Sequence, residues 1–141
     1  MTPLTRLVYR SDSNISHDDT EALDAIFRVS TTHNKRNGLT GALALPDGKF
    51  VKVIEGDATP LDALMERIER DTRHTDVTVL GRWPITARLF GSWAMARPDP
   101  TPLSDQAFRI VTKVDSGAQV TSVLLDLMAR PEDQFFSVKW L

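Results

Sequence analysis

At 141 residues and 15.8 kDa, with 41% hydrophobic content, the chain is the size of one domain and has enough apolar material for a core. A formal net charge of -2 and a pI near 5.9 give no electrostatic footprint for nucleic acid or an anionic membrane surface, either of which calls for a clustered basic excess. Without cysteine there are no disulfides, thiolate metal sites or cysteine nucleophile, and neither a secretory leader nor an apolar run of bilayer length is present, so the expected compartment is the cytoplasm.

Leu4 to Tyr9 is short and apolar-rich before a polar stretch, which predicts a strand. Ser16 to Asn37 reads as a helix: Ser16-x-x-Asp19 makes a capping signature, Leu23, Ile26, Phe27 and Ser30 share a face, and Asn37-Gly38 ends it. Leu39 to Leu45 and Phe50 to Glu55 form a hairpin around Pro46-Asp47-Gly48. Thr59 then serves as N-cap with Pro60 at the first helical position, and Leu61, Leu64, Met65 and Ile68 make an apolar stripe on a helix that ends near Asp71 to His74. Val77 to Ile85 and Ser92 to Met95 complete a βαββαββ order, the ferredoxin-like α+β arrangement with an added strand.

Arg97 to Leu103 holds three prolines and reads as a linker, followed by helices over Ser104 to Val114 and Ala118 to Arg130. In the second hairpin strand Phe50 and Ile54 point one way while Val51 and Val53 point the other, so both faces of the sheet need covers. The first two helices are assigned to one face and the C-terminal helices to the other. Residues 1–97 then form the core and residues 98–141 a helical cap of the same domain.

Taken singly, the polar residues that might carry chemistry have ordinary explanations. Arg67 and Asp71, four apart on the second helix, suit a surface ion pair with His74 as a cationic cap, and His33-Asn34 suits polar punctuation near a helix end. Tyr9 fits a half-buried strand aromatic, and Trp93 and Met95 fit core positions on one face of the last strand. Lys52 is different, because alternation puts it between Phe50 and Ile54 on the face assigned to the helices. Either it protects an edge strand or lays its stem on apolar surface, or it points inward and lines a site.

Together, Tyr9, His33-Asn34, Gly38-Leu39-Thr40-Gly41, Asp47-Gly48-x-Phe50, Ile54-Glu55-Gly56, Asp71-x-Arg73-His74, Arg88-x-Phe90 and Trp93-x-Met95 resemble the signature of the BLUF (blue light using flavin) family. The resemblance spans residues 4 to about 97, and residues 98–141 resemble only that family's variable helical cap. It implies that two helices clasp a flavin ring above the sheet, FAD being expected and FMN or riboflavin the alternatives. By position, His33, Asn34, Lys52, Arg67, Asp71 and His74 are the implied flavin contacts. A flavin offers an N3–H donor and O2 and O4 acceptors, which an amide and a guanidinium can satisfy, and Asp71 either takes the N3–H proton or holds Arg67 in place.

The resemblance also implies that Tyr9 passes an electron and a proton to the photoexcited ring. A glutamine amide then rearranges, and the last strand, through the positions of Trp93 and Met95, relays the change. Here Phe50-Val51-Lys52-Val53-Ile54-Glu55-Gly56 carries lysine where the family pattern has glutamine. An amide both donates and accepts, whereas an ammonium only donates, so the photocycle is expected to be altered or impaired. The expected function is a flavin-binding blue-light sensor, not an enzyme, that signals by contact with an unidentified downstream protein. Self-association is left open, and no nucleic-acid or membrane partner is expected. The alternatives are a flavin-dependent or light-driven redox protein and a cofactor-free ferredoxin-like interaction module.

Overall fold

Period-two alternation shapes β1 (Leu4–Ser13), where Leu7 and Tyr9 face one side of the sheet and Val8 the other, all of them buried. The computed structural model describes residues 3–16, 18–46, 48–91, 93–98, 107, 109–128 and 135–139. The first helix, α1 (Thr20–Arg36), begins later than Ser16. Asp19 is its N-cap and accepts from the Ala22 N–H, while the Ser16 hydroxyl serves the preceding turn by accepting from the Asp18 N–H. As expected, α1 ends at Asn37 and Gly38, the latter at φ 67°.

The predicted hairpin joins β2 (Thr40–Ala44) to β3 (Lys49–Asp57) in antiparallel register, with Gly48 at φ 75° and Asp47 outside the described residues. The second helix, α2 (Ala58–Arg70), starts before Thr59, and Asp57 rather than Thr59 holds the cap position. Pro60 still lies in the first turn, where a missing N–H breaks no helical hydrogen bond. The stripe of Leu61, Leu64, Met65 and Ile68 is buried as expected.

Strand β4 (His74–Ile85) begins at His74 instead of Val77, so His74 belongs to the sheet and is not a helix cap. Strand β5 (Trp93–Pro98) takes in the start of the predicted linker; Ser92 and residues 99–103 lie outside the described residues. The sheet has six strands in the order β4-β1-β3-β2-β5-β6, with β5 parallel to β2 and the other pairs antiparallel. The sixth, β6 (Phe135–Lys139), was not expected. Its five residues are too short to separate strand from helix by periodicity, and what selects the strand is the edge of β5.

Leu7, Tyr9, Ile54, Leu43, Phe50 and Met95 face α1 and α2 on the front of the sheet. Val8, Ala42, Val51, Val53 and Ala96 face the rear, where α3 (Gly117–Met128) covers them with Val120, Leu124 and Leu127. Of the helix predicted over Ser104 to Val114, residues 107 and 109–111 are helical and 104–106 and 108 lie outside the described residues, as do Arg130 and the side chain of Met128. Val111 is fully buried in the rear cluster. Arg10 secures this layer from β1, its guanidinium donating to the carbonyls of Val111 and Val114 and to Asp115.

Trp93 and Met95 do not share a face. The β5–β6 ladder slips between them, so Trp93 packs against the rear cluster while Met95 is buried in front beside Leu43 and Phe50.

Candidate functional site

The front face holds a pocket between α1, α2 and the sheet. Its lining includes Tyr9, His33, Asn34, Lys52, Arg67, Asp71 and His74, so residues far apart in the chain converge there. Trp93 and Met95 are not in that lining. Ile26, Val29, Leu43, Phe50, Leu64 and Ile68 supply apolar walls. Such a mixture suits a flat aromatic ligand with one polar edge.

Lys52 is 4% exposed and sits on β3, which is an interior strand between β1 and β2. The edge-strand and surface-stem explanations therefore fail, and the inward one holds. Burial, reinforced by the positive charge of Arg67, lowers its pKa to about 8. Directly across the β1–β3 pairing stands Tyr9, 3% exposed. Burial, with the charge of Asp71 adding to it, raises the Tyr9 pKa, so the phenol keeps its proton.

On α1, the fully buried Asn34 donates through its side-chain nitrogen to the carbonyl of Ala94 at 2.8 Å. A carbonyl only accepts, which fixes the amide's orientation and leaves Oδ1 buried without a well-formed hydrogen bond among the described residues, its interaction being with the neighbouring His33 ring. Nδ1 of His33 is likewise buried without a well-formed hydrogen bond among them. Burial, followed by the charges of Arg67 and Lys52, lowers the His33 pKa, against the opposing pull of the Asn34 side chain.

Asp71 and Arg67 do not form the expected pair. The Asp71 carboxylate instead accepts from the backbone N–H and the guanidinium of Arg73, which hold its pKa low. Arg67 pairs with no carboxylate among the described residues and stays at the pocket wall. Arg73 also lines the pocket and was missed as a site residue, although its place beside Asp71 in the Asp-x-Arg-His run was a signal.

His74 is buried, and both of its ring nitrogens are engaged. Nε2 donates to the carbonyl of Ile68 at 2.8 Å, which makes Nδ1 the partner of the Ser11 hydroxyl, also at 2.8 Å. The ring stands edge-on to Tyr9 and Phe50, with centroids 6.2 and 5.5 Å away. It ties the end of α2 to β1 and offers the pocket a ring edge.

Sequence reasoning also missed the role of Glu55. Fully buried at the rear-facing position opposite Arg6, its carboxylate accepts from Arg6, Thr40 and the backbone N–H groups of Leu89 and Phe90. Arg88 adds bonds to Thr40, to the carbonyl of Glu55 and to that of Gly38. Together they fasten the β4–β5 connection, and so set where β5 and its Ala94 carbonyl stand.

A ferredoxin-like sheet with a polar-edged pocket under its two front helices defines a fold suited to binding a small molecule. The chain matches the family described as sensors of blue-light using FAD over residues 4–96. The photoactivated adenylate cyclase subunit beta of Euglena gracilis is 38% identical over 95 residues, which are 67% of this chain and 11% of that protein. The chain thus spans only about a tenth of such relatives. Among solved structures, the BLUF protein BlrB in its dark state is 30% identical, with a TM-score of 0.78 over 92% of this chain and 97% of that one. Klebsiella pneumoniae BlrP1 with FMN and cyclic diGMP is 28% identical, with a TM-score of 0.62 over 82% of this chain and 35% of that one. This chain belongs to the BLUF family of flavin-binding blue-light sensors.

Proposed function

We propose that a flavin occupies the front pocket with its polar edge toward α1 and α2, and that Tyr9 and Lys52 make it a blue-light sensor of altered photochemistry. The observation that carries this reading is the buried Oδ1 of Asn34, without a well-formed hydrogen bond among the described residues and aligned by Ala94 in a pocket that also holds Tyr9 and Lys52. That oxygen suits the N3–H donor of the ring, and the Arg67 guanidinium, which pairs with no carboxylate among the described residues, suits a ring carbonyl. Asp71 acts through Arg73, holding its guanidinium at the wall, and His74 keeps α2 against β1. FAD is the expected flavin, with FMN and riboflavin also fitting the same ring site.

When bound, the flavin supplies light absorption and an electron acceptor. Tyr9 supplies the electron and its phenolic proton. Lys52 occupies the place of the family's glutamine and, when charged, has no lone pair to receive that proton. Any change at Asn34 is felt at β5 through Ala94, and Trp93, next in the strand, contacts the rear layer under α3. The output is a protein contact made from that rear layer, with a downstream protein as partner and the cytoplasm as the place of action. The chain itself acts as a sensor and not as an enzyme.

One observation favours a second reading, a light-driven redox protein: a buried cation at the ring would stabilise added negative charge there, helping the flavin hold an electron. Light-minus-dark absorption of the purified chain decides between them. A red-shifted, dark-reverting spectrum supports sensing with a family-type switch. A reduced flavin that accumulates with external reductant supports the redox reading, and failure to bind any flavin removes both.

A further inference from the structure

Lys52 lies in register between Tyr9 of β1 and Leu43 of β2, and its side chain lines the front pocket. It is 4% exposed and makes no hydrogen bond or ion pair to any described residue. Among the described lining residues the only carboxylate is Asp71, which Arg73 holds. The other ionisable groups of the wall give Lys52 no counter-charge: Tyr9 from β1 keeps its proton, His33 from α1 and His74 from β4 are imidazoles, and Arg67 from α2 is a second cation. A lysine desolvated in a pocket and set beside another cation holds its proton weakly, and the fall of its pKa to about 8 has those two causes. The lone pair so released is a nucleophile that opens onto the pocket.

An unpartnered amine among apolar walls calls for an electrophile that is small, flat and uncharged. We propose that Lys52 is a Schiff-base-forming lysine, which condenses with a small aromatic aldehyde admitted to the front pocket. Ile26, Phe50 and Leu64 offer apolar surface to the ring, and the amine meets the carbonyl. The Nζ lone pair attacks the carbonyl carbon and forms a C–N bond, while the carbonyl oxygen takes up a proton. The resulting carbinolamine loses that oxygen as water, the nitrogen gives up its last hydrogen, and a C=N bond remains. One water is released for each imine formed, and nothing is oxidised or reduced. Tyr9, its proton retained, lines the same pocket and can lend that proton to the departing oxygen and recover one from the nitrogen. An aldehyde and a flavin ring compete for the same walls, so the reactivity belongs to the flavin-free chain and stands apart from the flavin reading.

Incubating the flavin-free full chain with benzaldehyde and sodium cyanoborohydride near pH 8 turns each imine into a stable secondary amine, whose position peptide mass spectrometry reads. At that pH Lys52 carries roughly a hundred times more neutral amine than an ordinary lysine. Confinement in the pocket takes back part of that advantage, so Lys52 should be labelled about tenfold faster than the exposed Lys35 and Lys113. In concentrated urea the advantage should vanish, because it comes from burial and not from the local sequence. Lys52→Arg keeps a cation but removes the nucleophile, and should abolish the fast site. Labelling of Lys52 no faster than that of Lys35 and Lys113, or a fast site that persists in urea or in Lys52→Arg, overturns the proposal. Titrating the same preparation with FMN keeps the two readings apart: flavin binding without fast labelling of Lys52 removes this inference alone, and fast labelling without flavin binding upholds it while removing the flavin reading.

Discussion

Tyr9 and Lys52 face one another across β1 and β3, and burial pushes their proton affinities in opposite directions, the phenol's up and the ammonium's down. At neutral pH the lysine is mostly charged and donates only, so the expected response to blue light is little or none of the family's red shift. Lys52→Gln restores a group that both donates and accepts, and should bring back a red-shifted, dark-reverting state, while adding Tyr9→Phe should abolish it. Steady-state and transient absorption on the three proteins checks this, and a normal red-shifted cycle in the unmodified chain contradicts the role given to the lysine. The same residue should leave a mark on stability. Its folded-state pKa, about 8, lies below the ordinary 10.5, so between these values the unfolded chain binds more protons and stability rises with pH. Measured against Lys52→Met in urea without flavin, the gain from pH 8 to 10 should be on the order of 2–3 kcal/mol. A pH-independent difference between the two proteins would show that Lys52 is not desolvated.

At the scale of elements, what was legible in the sequence is what local pattern controls. Alternation along Phe50 to Ile54 sorted the two faces of β3 correctly because every second residue must turn the same way, and Asn37-Gly38 marked the end of α1 because glycine takes the left-handed backbone cheaply. Long-range effects were not legible. The slip that separates Trp93 from Met95 belongs to the pairing with β6, and the exchange of Arg67 for Arg73 as partner of Asp71 depends on how the chain turns after α2. Glu55 is the clearest such case, since its value lies in donors from β1, β2 and the β4–β5 connection. Glu55→Ala leaves the Arg6 guanidinium buried without its partner and frees two backbone N–H groups, and should cost about 3–5 kcal/mol by urea denaturation. A loss below about 1 kcal/mol would mean that water replaces the carboxylate. A complementary test lies where β2 meets β3: a Cβ at Gly41 would fall 2.0 Å from the Val53 carbonyl oxygen, so Gly41→Ala should disturb the β2–β3 ladder beside Lys52 and lower thermal stability.

For the whole molecule, the sheet separates a front face with a pocket from a rear face with a packed layer, and the two differ in how they are covered. The front leaves a pocket for a cofactor, whereas the rear cluster of Val8, Ala42, Val51, Val53 and Ala96 is closed by Val111, Val120, Leu124 and Leu127 from the C-terminal segment. We propose that residues 98–141 are integral to the domain for this reason. Arg10, next to Tyr9 in β1, ties that segment down at Val111, Val114 and Asp115. Two changes separate its tethering from its cover. Arg10→Met removes the tether and keeps the apolar layer, so amide exchange in α3 should quicken while the chain stays monodisperse. Truncation after Pro98 removes the layer itself and exposes a contiguous set of side chains that are fully buried in the intact chain. Bare apolar surface of that kind binds hydrophobic dyes and recruits other chains, so the truncated protein should aggregate or self-associate in light scattering. If it stays monomeric, dye-silent and as stable as the full chain, the rear layer is dispensable, and the output surface must lie elsewhere on the sheet.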